Sequence, residues 1–249
     1  MICDFKSNEF DVQYIESNIE QPILWESHCH SQYEMIAVAE GDITVMVEGQ
    51  SCRLKKNQIL IVSPLLYHYV TANEKGIYCR ITALFGVDVI PNKLRDPLTK
   101  NIIHASIHPI QIEKLKKVCQ EGDWDFYAPL LHSLMVELFY DVIQTPSLPL
   151  KIEHDELLQK AFGYIDQHLH EKILLDDLAK YTSRSKSSFC HLFESKMHIS
   201  PKQYILQKKL ALASKLIDEG VPRTVAAMQV GYENYSNFYR VYRKNFEKN

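Results

Sequence analysis

Up to Phe85, apolar residues come in short runs rich in Val, Ile, Tyr and Phe: Phe10–Ile15, Ile23–His28, Tyr33–Val38, Ile43–Val47, Cys52–Leu54, Ile59–Val62, Tyr67–Thr71 and Ile77–Leu84. Turn residues separate them at Glu40–Asp42, Glu48–Gln50 and Asn73–Gly76. Short β-rich runs punctuated by glycine and polar residues predict strands, and many at regular spacing predict a sandwich or barrel. Beyond Phe85 the period changes. Pro91 and Pro97 bracket chain that reads as irregular, and Ile110–Cys119 and Asp125–Ile143 read as helices. In the second helix Leu130, Leu131, Leu134, Val136, Leu138, Phe139 and Val142 cover more than one face. Such a helix needs burial on more than one side, either against a second copy or wholly within its own domain. Two prolines in Gln144–Leu150 stop it and favour extended chain. Everything after reads as helix, beginning with a stripe of Leu157, Leu158, Ala161, Ile165 and Leu169.

Within this helical third, Ser187–Phe193 and Ser236–Tyr242 share one pattern, Ser-x-Phe-x-basic-apolar-aromatic, 49 positions apart. Each copy follows a short helical segment and a polar turn, the layout of two helix-turn-helix modules. In the first unit Asp176 is placed to cap the leading helix and Ser185 the reading helix, Lys186 to Lys196. Phe189 and Phe193 face inward. Arg184, Ser185, Lys186, Ser187, Cys190 and His191 are the candidate DNA contacts. Ser200 and Pro201 open a connecting helix that runs to Glu219, about 28 Å long, enough to hold two modules near one DNA turn apart. In the second unit Gly231 suits a left-handed turn. Tyr235, Ser236, Tyr239 and Arg240 face outward, with Arg243 and Lys244 near phosphates.

Charge sharpens this picture. The net of -3 conceals an excess from Leu178 onward of 13 Lys+Arg against 5 Asp+Glu. Phosphate binding needs such a local excess. The six cysteines are scattered with no Cys-x-x-Cys, which fits a reducing compartment rather than a disulfide framework. The N-terminus reads as no secretory signal and the longest apolar stretch is too short to span a bilayer. A cytoplasmic location without membrane contact is expected.

Residues from about 155 to 246 resemble the DNA-binding domain of AraC/XylS-family transcription regulators. The resemblance rests on Ser185, Phe189, His191 and Phe193, on Pro201 and Tyr204, and on Gly231, Tyr232, Ser236, Phe238, Arg240, Tyr242 and Arg243. His191 stands where that family usually has Arg, and Lys209 where its connecting helix usually has Arg. Histidine lacks arginine's two-pronged contact to guanine, so the first module's specificity departs most. The resemblance implies activation of transcription by contact with RNA polymerase.

In the N-terminal part, His28-x-His30-x3-Glu34 with Gly41 matches a cupin motif, and Pro64–His68 resembles a second. Alternate residues of a strand share a face, so His28 and His30 point together, and Glu34 and His68 complete a set that suits iron, manganese, zinc or nickel. The same residues resemble the sensor barrel of AraC-type regulators, where they line a ligand cavity or brace the barrel without metal in most members. The expected ligand-binding residues are Trp25, His28, His30, Tyr33, Glu34, Tyr67 and His68, with no metal and no cofactor.

The expected fold is α+β. An N-terminal cupin-like β-barrel with helices (1–143) senses a small molecule. A linker (144–153) leads to an all-α domain of two helix-turn-helix modules joined by a linker helix (154–249). The expected partners are double-stranded DNA, a small-molecule effector, RNA polymerase and a second copy of the chain. The competing reading is a metal-dependent cupin enzyme, an isomerase or dioxygenase, with a helical appendage. The basic repeat has no role under it.

Overall fold

The computed structural model describes residues 2–6, 9–25, 27–72, 74–99, 102–121, 124–152 and 155–246. Cα packing divides the chain into two units. The first comprises residues 1–26, 32–64 and 69–152, and the second residues 27–31, 65–68 and 153–249.

Alternating apolar positions build the first unit as two antiparallel sheets. One runs in the spatial order β1 (Ile2–Lys6), β2 (Phe10–Ile19), β9 (Gly76–Phe85), β4 (Tyr33–Glu40), β7 (Gln58–Val62), β10 (Ile103–Ser106). The other runs β11 (Lys151–Ile152), β6 (Gln50–Lys55), β5 (Asp42–Val47), β8 (His68–Ala72), β3 (Ile23–Leu24). Phe10, Val12 and Tyr14 of β2, Met35 and Ala37 of β4, and Ile81, Ala83 and Phe85 of β9 share one face and one core. Helices α2 (Pro109–Glu121) and α3 (Trp124–Gln144) cover that face with Ile112, Leu115, Val118, Leu131, Leu134, Met135, Leu138 and Phe139.

Four sequence expectations are resolved or changed here. Leu131, Leu134, Met135, Leu138, Phe139 and Val142 of α3 pack on its own sheet, so these need no second copy; among the described side chains of α3 the exposed large apolar ones are Leu130 and Tyr140. Chain expected to be irregular after Pro91 forms α1 (Asn92–Thr99), whose first turn closes when Leu94 N donates to Pro91 O at 2.7 Å. Strands β1 and β10 are additional edges, paired to β2 and β7. The stretch read as a linker is laced to the sheets. Leu148 N donates to His104 O at 2.7 Å, and Lys151–Ile152 pairs with β6. Positions 153 and 154, where linker and helical domain were expected to meet, lie outside the described residues.

The second unit carries α4 (Glu156–Gln167), α5 (Leu175–Tyr181), α6 (Lys186–Met197), α7 (Pro201–Asp218), α8 (Arg223–Gln229) and α9 (Tyr235–Phe246). Phe162, Phe189, Phe193 and Tyr204 form an aromatic core for α4, α6 and α7, with ring centroids 5.3–6.2 Å apart. A second core joins Leu210 and Ala213 of α7 to Ala227 of α8, Val230, and Phe238 and Tyr242 of α9. Helix α7 therefore belongs to both.

Candidate nucleic-acid interface

Helix α5, the turn and α6 form the first module. Thr182 is buried, and its hydroxyl donates to the carbonyls of Leu178 and Ala179, closing α5. Ser183 takes a left-handed φ of 56°, and Arg184 N returns to Ala179 O at 2.9 Å. Ser185 caps α6 as expected, accepting from Ser188 N. Asp176 does not cap α5. That position is Leu174, which makes no side-chain bond, and Asp176 instead pairs with Lys186 at 2.9 Å. With Phe189 and Phe193 turned inward, Arg184, Ser185, Lys186, Ser187 and His191 are exposed and Cys190 is half-buried.

The second module mirrors it. Gly231 sits at φ 76° in the turn after α8. Asn234 Oδ1 accepts from Asn237 N at 3.2 Å at the start of α9. Phe238 and Tyr242 are buried, while Tyr235, Ser236, Arg240, Arg243 and Lys244 are exposed and Tyr239 is half-buried. Tyr235 stacks on Tyr239 with centroids 6.0 Å apart. Arg240 donates to Asn237 Oδ1 at 3.1 Å. Asn237 was missed from sequence, although a carboxamide three positions before an arginine on one helix is a readable orienting pair.

Backbone contacts bind the modules together. Lys209 of α7 is buried, and its ammonium donates to the carbonyls of Glu171 and Val230, the latter at 2.7 Å. His170 Nδ1 donates to Gln229 O at 2.8 Å. A Cβ on Gly231 would lie 2.7 Å from the carbonyl carbon of Glu171, so only glycine fits there.

The expected ligand residues separate into three groups. Tyr33 faces the helix-covered core, stacked on Phe85 at 5.6 Å, because β4 turns Tyr33, Met35 and Ala37 one way. Tyr67 is fully buried, packs on Tyr204 at 5.0 Å and donates to Ser27 Oγ at 2.5 Å. Both side chains are buried in these contacts. The histidines do assemble. The rings of His28, His30 and His68 lie 4.4–5.5 Å apart, and His28 and His68 form a backbone bridge. His68 Nδ1 donates to Leu66 O at 2.9 Å. Ligand-capable atoms of these three all lie within 4.8 Å of one another. Trp25 is half-buried, with its ring 5.4 Å from that of Tyr78 and 4.9 Å from the guanidinium carbon of Arg80. Tyr78 and Arg80 were not expected; both sit in a run read only as a strand.

Comparison with known proteins agrees with the helical geometry. Residues 178–249 match a helix-turn-helix domain family. YdiP of Escherichia coli K12, an uncharacterised helix-turn-helix-type transcriptional regulator, is 25% identical over 88% of this chain and 78% of its own length. The regulatory protein SoxS of Salmonella typhimurium is 30% identical over 39% of this chain and 92% of its own. ToxT of Vibrio cholerae, in a crystal structure with an unsaturated fatty acid bound, aligns over 97% of this chain and 93% of its own at 12% identity, with a TM-score of 0.47. No helix among the described residues is long and apolar enough to cross a membrane.

Proposed function

The chain belongs to the AraC/XylS family of DNA-binding transcription regulators, and from that premise we propose that α6 and α9 read two adjacent stretches of major groove while the β-rich unit binds a small-molecule effector. The observation that carries the reading is the pair of capped helices, each with one aromatic face buried and one polar, basic face exposed, sharing α7. On α6 the contacts are Arg184, Ser185, Lys186, Ser187, Cys190 and His191. On α9 they are Tyr235, Ser236, Tyr239 and Arg240, with Arg243 and Lys244 on phosphates. Effector binding acts as a population shift between states of different DNA affinity. RNA polymerase contact, pairing with a second copy and a cytoplasmic location complete the proposal, carried by the family and not by any contact described above.

Selection of the full-length protein on random duplex DNA tests it. A site of about two helical turns is expected. Arg240→Ala should lose about 1–3 kcal/mol at one cluster of positions and leave the other half defined. Enrichment of no sequence by the unsubstituted protein would overturn the reading.

One observation favours a further reading, in which His28, His30 and His68 hold a transition-metal ion. Three imidazoles with ligand atoms within 4.8 Å of one another suit zinc or iron. Elemental analysis of the purified chain separates the readings: about one equivalent of metal, lost in His68→Ala, supports the ion, and no bound metal removes it.

A further inference from the structure

The two sheets of the first unit meet at a feature that neither core accounts for. On β9, Cys79, Ile81, Ala83 and Phe85 face the helices, so Tyr78 and Arg80 face the opposite sheet. Trp25, just past β3, comes from that sheet to meet them. The Arg80 guanidinium lies 4.9 Å from the Trp25 ring centre and 5.9 Å from that of Tyr78. Two polar atoms here are buried without a hydrogen-bond partner, Arg80 Nε and the Tyr78 hydroxyl. Buried donors are almost always satisfied, and leaving one unpaired is costly, more so when it is charged. On the neighbouring strands Arg80 is flanked by Ile15 on β2 and Val38 on β4, and Tyr78 by Ser17 on β2, while Glu34 of β4 acts on Tyr78 through its charge. Among the described residues no carboxylate pairs with Arg80. Burial pushes the Tyr78 phenol up to about 12 against the opposing pull of the Arg80 guanidinium beside it, so it remains a donor at neutral pH.

We propose that Arg80 and the Tyr78 hydroxyl bind the carboxylate of the effector, with the Trp25 and Tyr78 rings flanking its apolar body. A guanidinium presents two parallel N–H groups to a planar carboxylate, the geometry that lysine or a neutral side chain cannot supply. Aromatic flanks favour an organic acid over a fully hydrated inorganic anion, which would lose its water to ring faces. The assignment rests on the β-rich unit being the effector-binding one, and it narrows the effector to small organic monocarboxylates.

The chain has two tryptophans, Trp25 and Trp124. Full-length protein carrying Trp124→Phe therefore reports from Trp25 alone. Its emission is followed during titration with straight-chain carboxylates from acetate to octanoate, the matching amides, and inorganic phosphate. At least one carboxylate should give a saturable change, with its amide about tenfold weaker or more. Arg80→Gln should weaken carboxylate binding about tenfold or more, and Tyr78→Phe by about fivefold. Tyr78→Phe removes one oxygen and carries the test if Arg80→Gln fails to fold. Amides equal to acids would overturn the carboxylate while keeping an effector site at Trp25. Phosphate equal to the acids would overturn the organic class. No response to any of them overturns the site altogether. The DNA selection is run on the same protein, so failure here and failure of the two-module reading are read separately.

Discussion

Lys209 shows how one side chain holds a fold by giving up part of its own charge. Burial pushes its ammonium down to about 8, while Glu171 nearby opposes the shift. An unfolded lysine titrates near 10.4. Between those values the unfolded chain binds more protons than the folded one, so this residue's contribution to stability rises as pH rises from about 8 to 10 and is smallest below 8. Chemical denaturation of the full chain should show that rise, on the order of 2 kcal/mol. It should vanish in Lys209→Met if that variant folds; an equal slope in both proteins would place the titration elsewhere. The residue scale is also where sequence reading fell short. Tyr33 and Tyr67 are aromatic and near the histidines in sequence. Strand parity turns Tyr33 toward the helices, and Tyr67 is spent on Tyr204. Alternation was legible, but which face the helices cover was not. Tyr78 and Arg80, on the other face of the same strand pair, went unread for that reason.

At the scale of elements, boundaries were legible where local chemistry sets them. Helix α6 begins one residue after Ser185 and α7 one residue after Ser200, each with a hydroxyl accepting from the third amide on. Pro201 occupies the first turn, where its missing N–H costs nothing. Ser200→Ala should lower stability by about 1 kcal/mol and leave affinity for the selected DNA site unchanged per folded molecule. A change in specificity would mean that the cap positions a reading helix. Elements defined by partners were illegible. Strand β1 (Ile2–Lys6) and β10 (Ile103–Ser106) are short edges that owe their conformation to pairing with β2 and β7. In α3 the reverse holds: an all-round apolar pattern is readable, but two burial solutions fit it, and only tertiary packing selects the sheet.

At the scale of the molecule, the helical unit carries one repeated design around one shared helix, and that repeat was visible in the spacing of Ser187–Phe193 and Ser236–Tyr242. How the repeats join was not visible, because the join is made by backbone carbonyls. Glu171 lies between α4 and α5, far in sequence from Lys209 and Gly231, yet it meets both. Together with the bond from His170 to Gln229, these contacts lock the first module to the second. A selected DNA site with one base pair inserted between its halves turns one half by about a tenth of a helical turn. The full-length protein should then bind at least tenfold more weakly, by mobility shift at fixed salt; undiminished affinity would mean the join flexes. Locked modules also have a consequence for bases that no side chain reaches. If the protein cannot adjust its pitch, the duplex must, and the cost of over- or underwinding depends on which steps lie between the contacts. The stretch between the two half-sites would then be selected for how readily it twists, a preference written into the operator by a glycine and a lysine that never touch it.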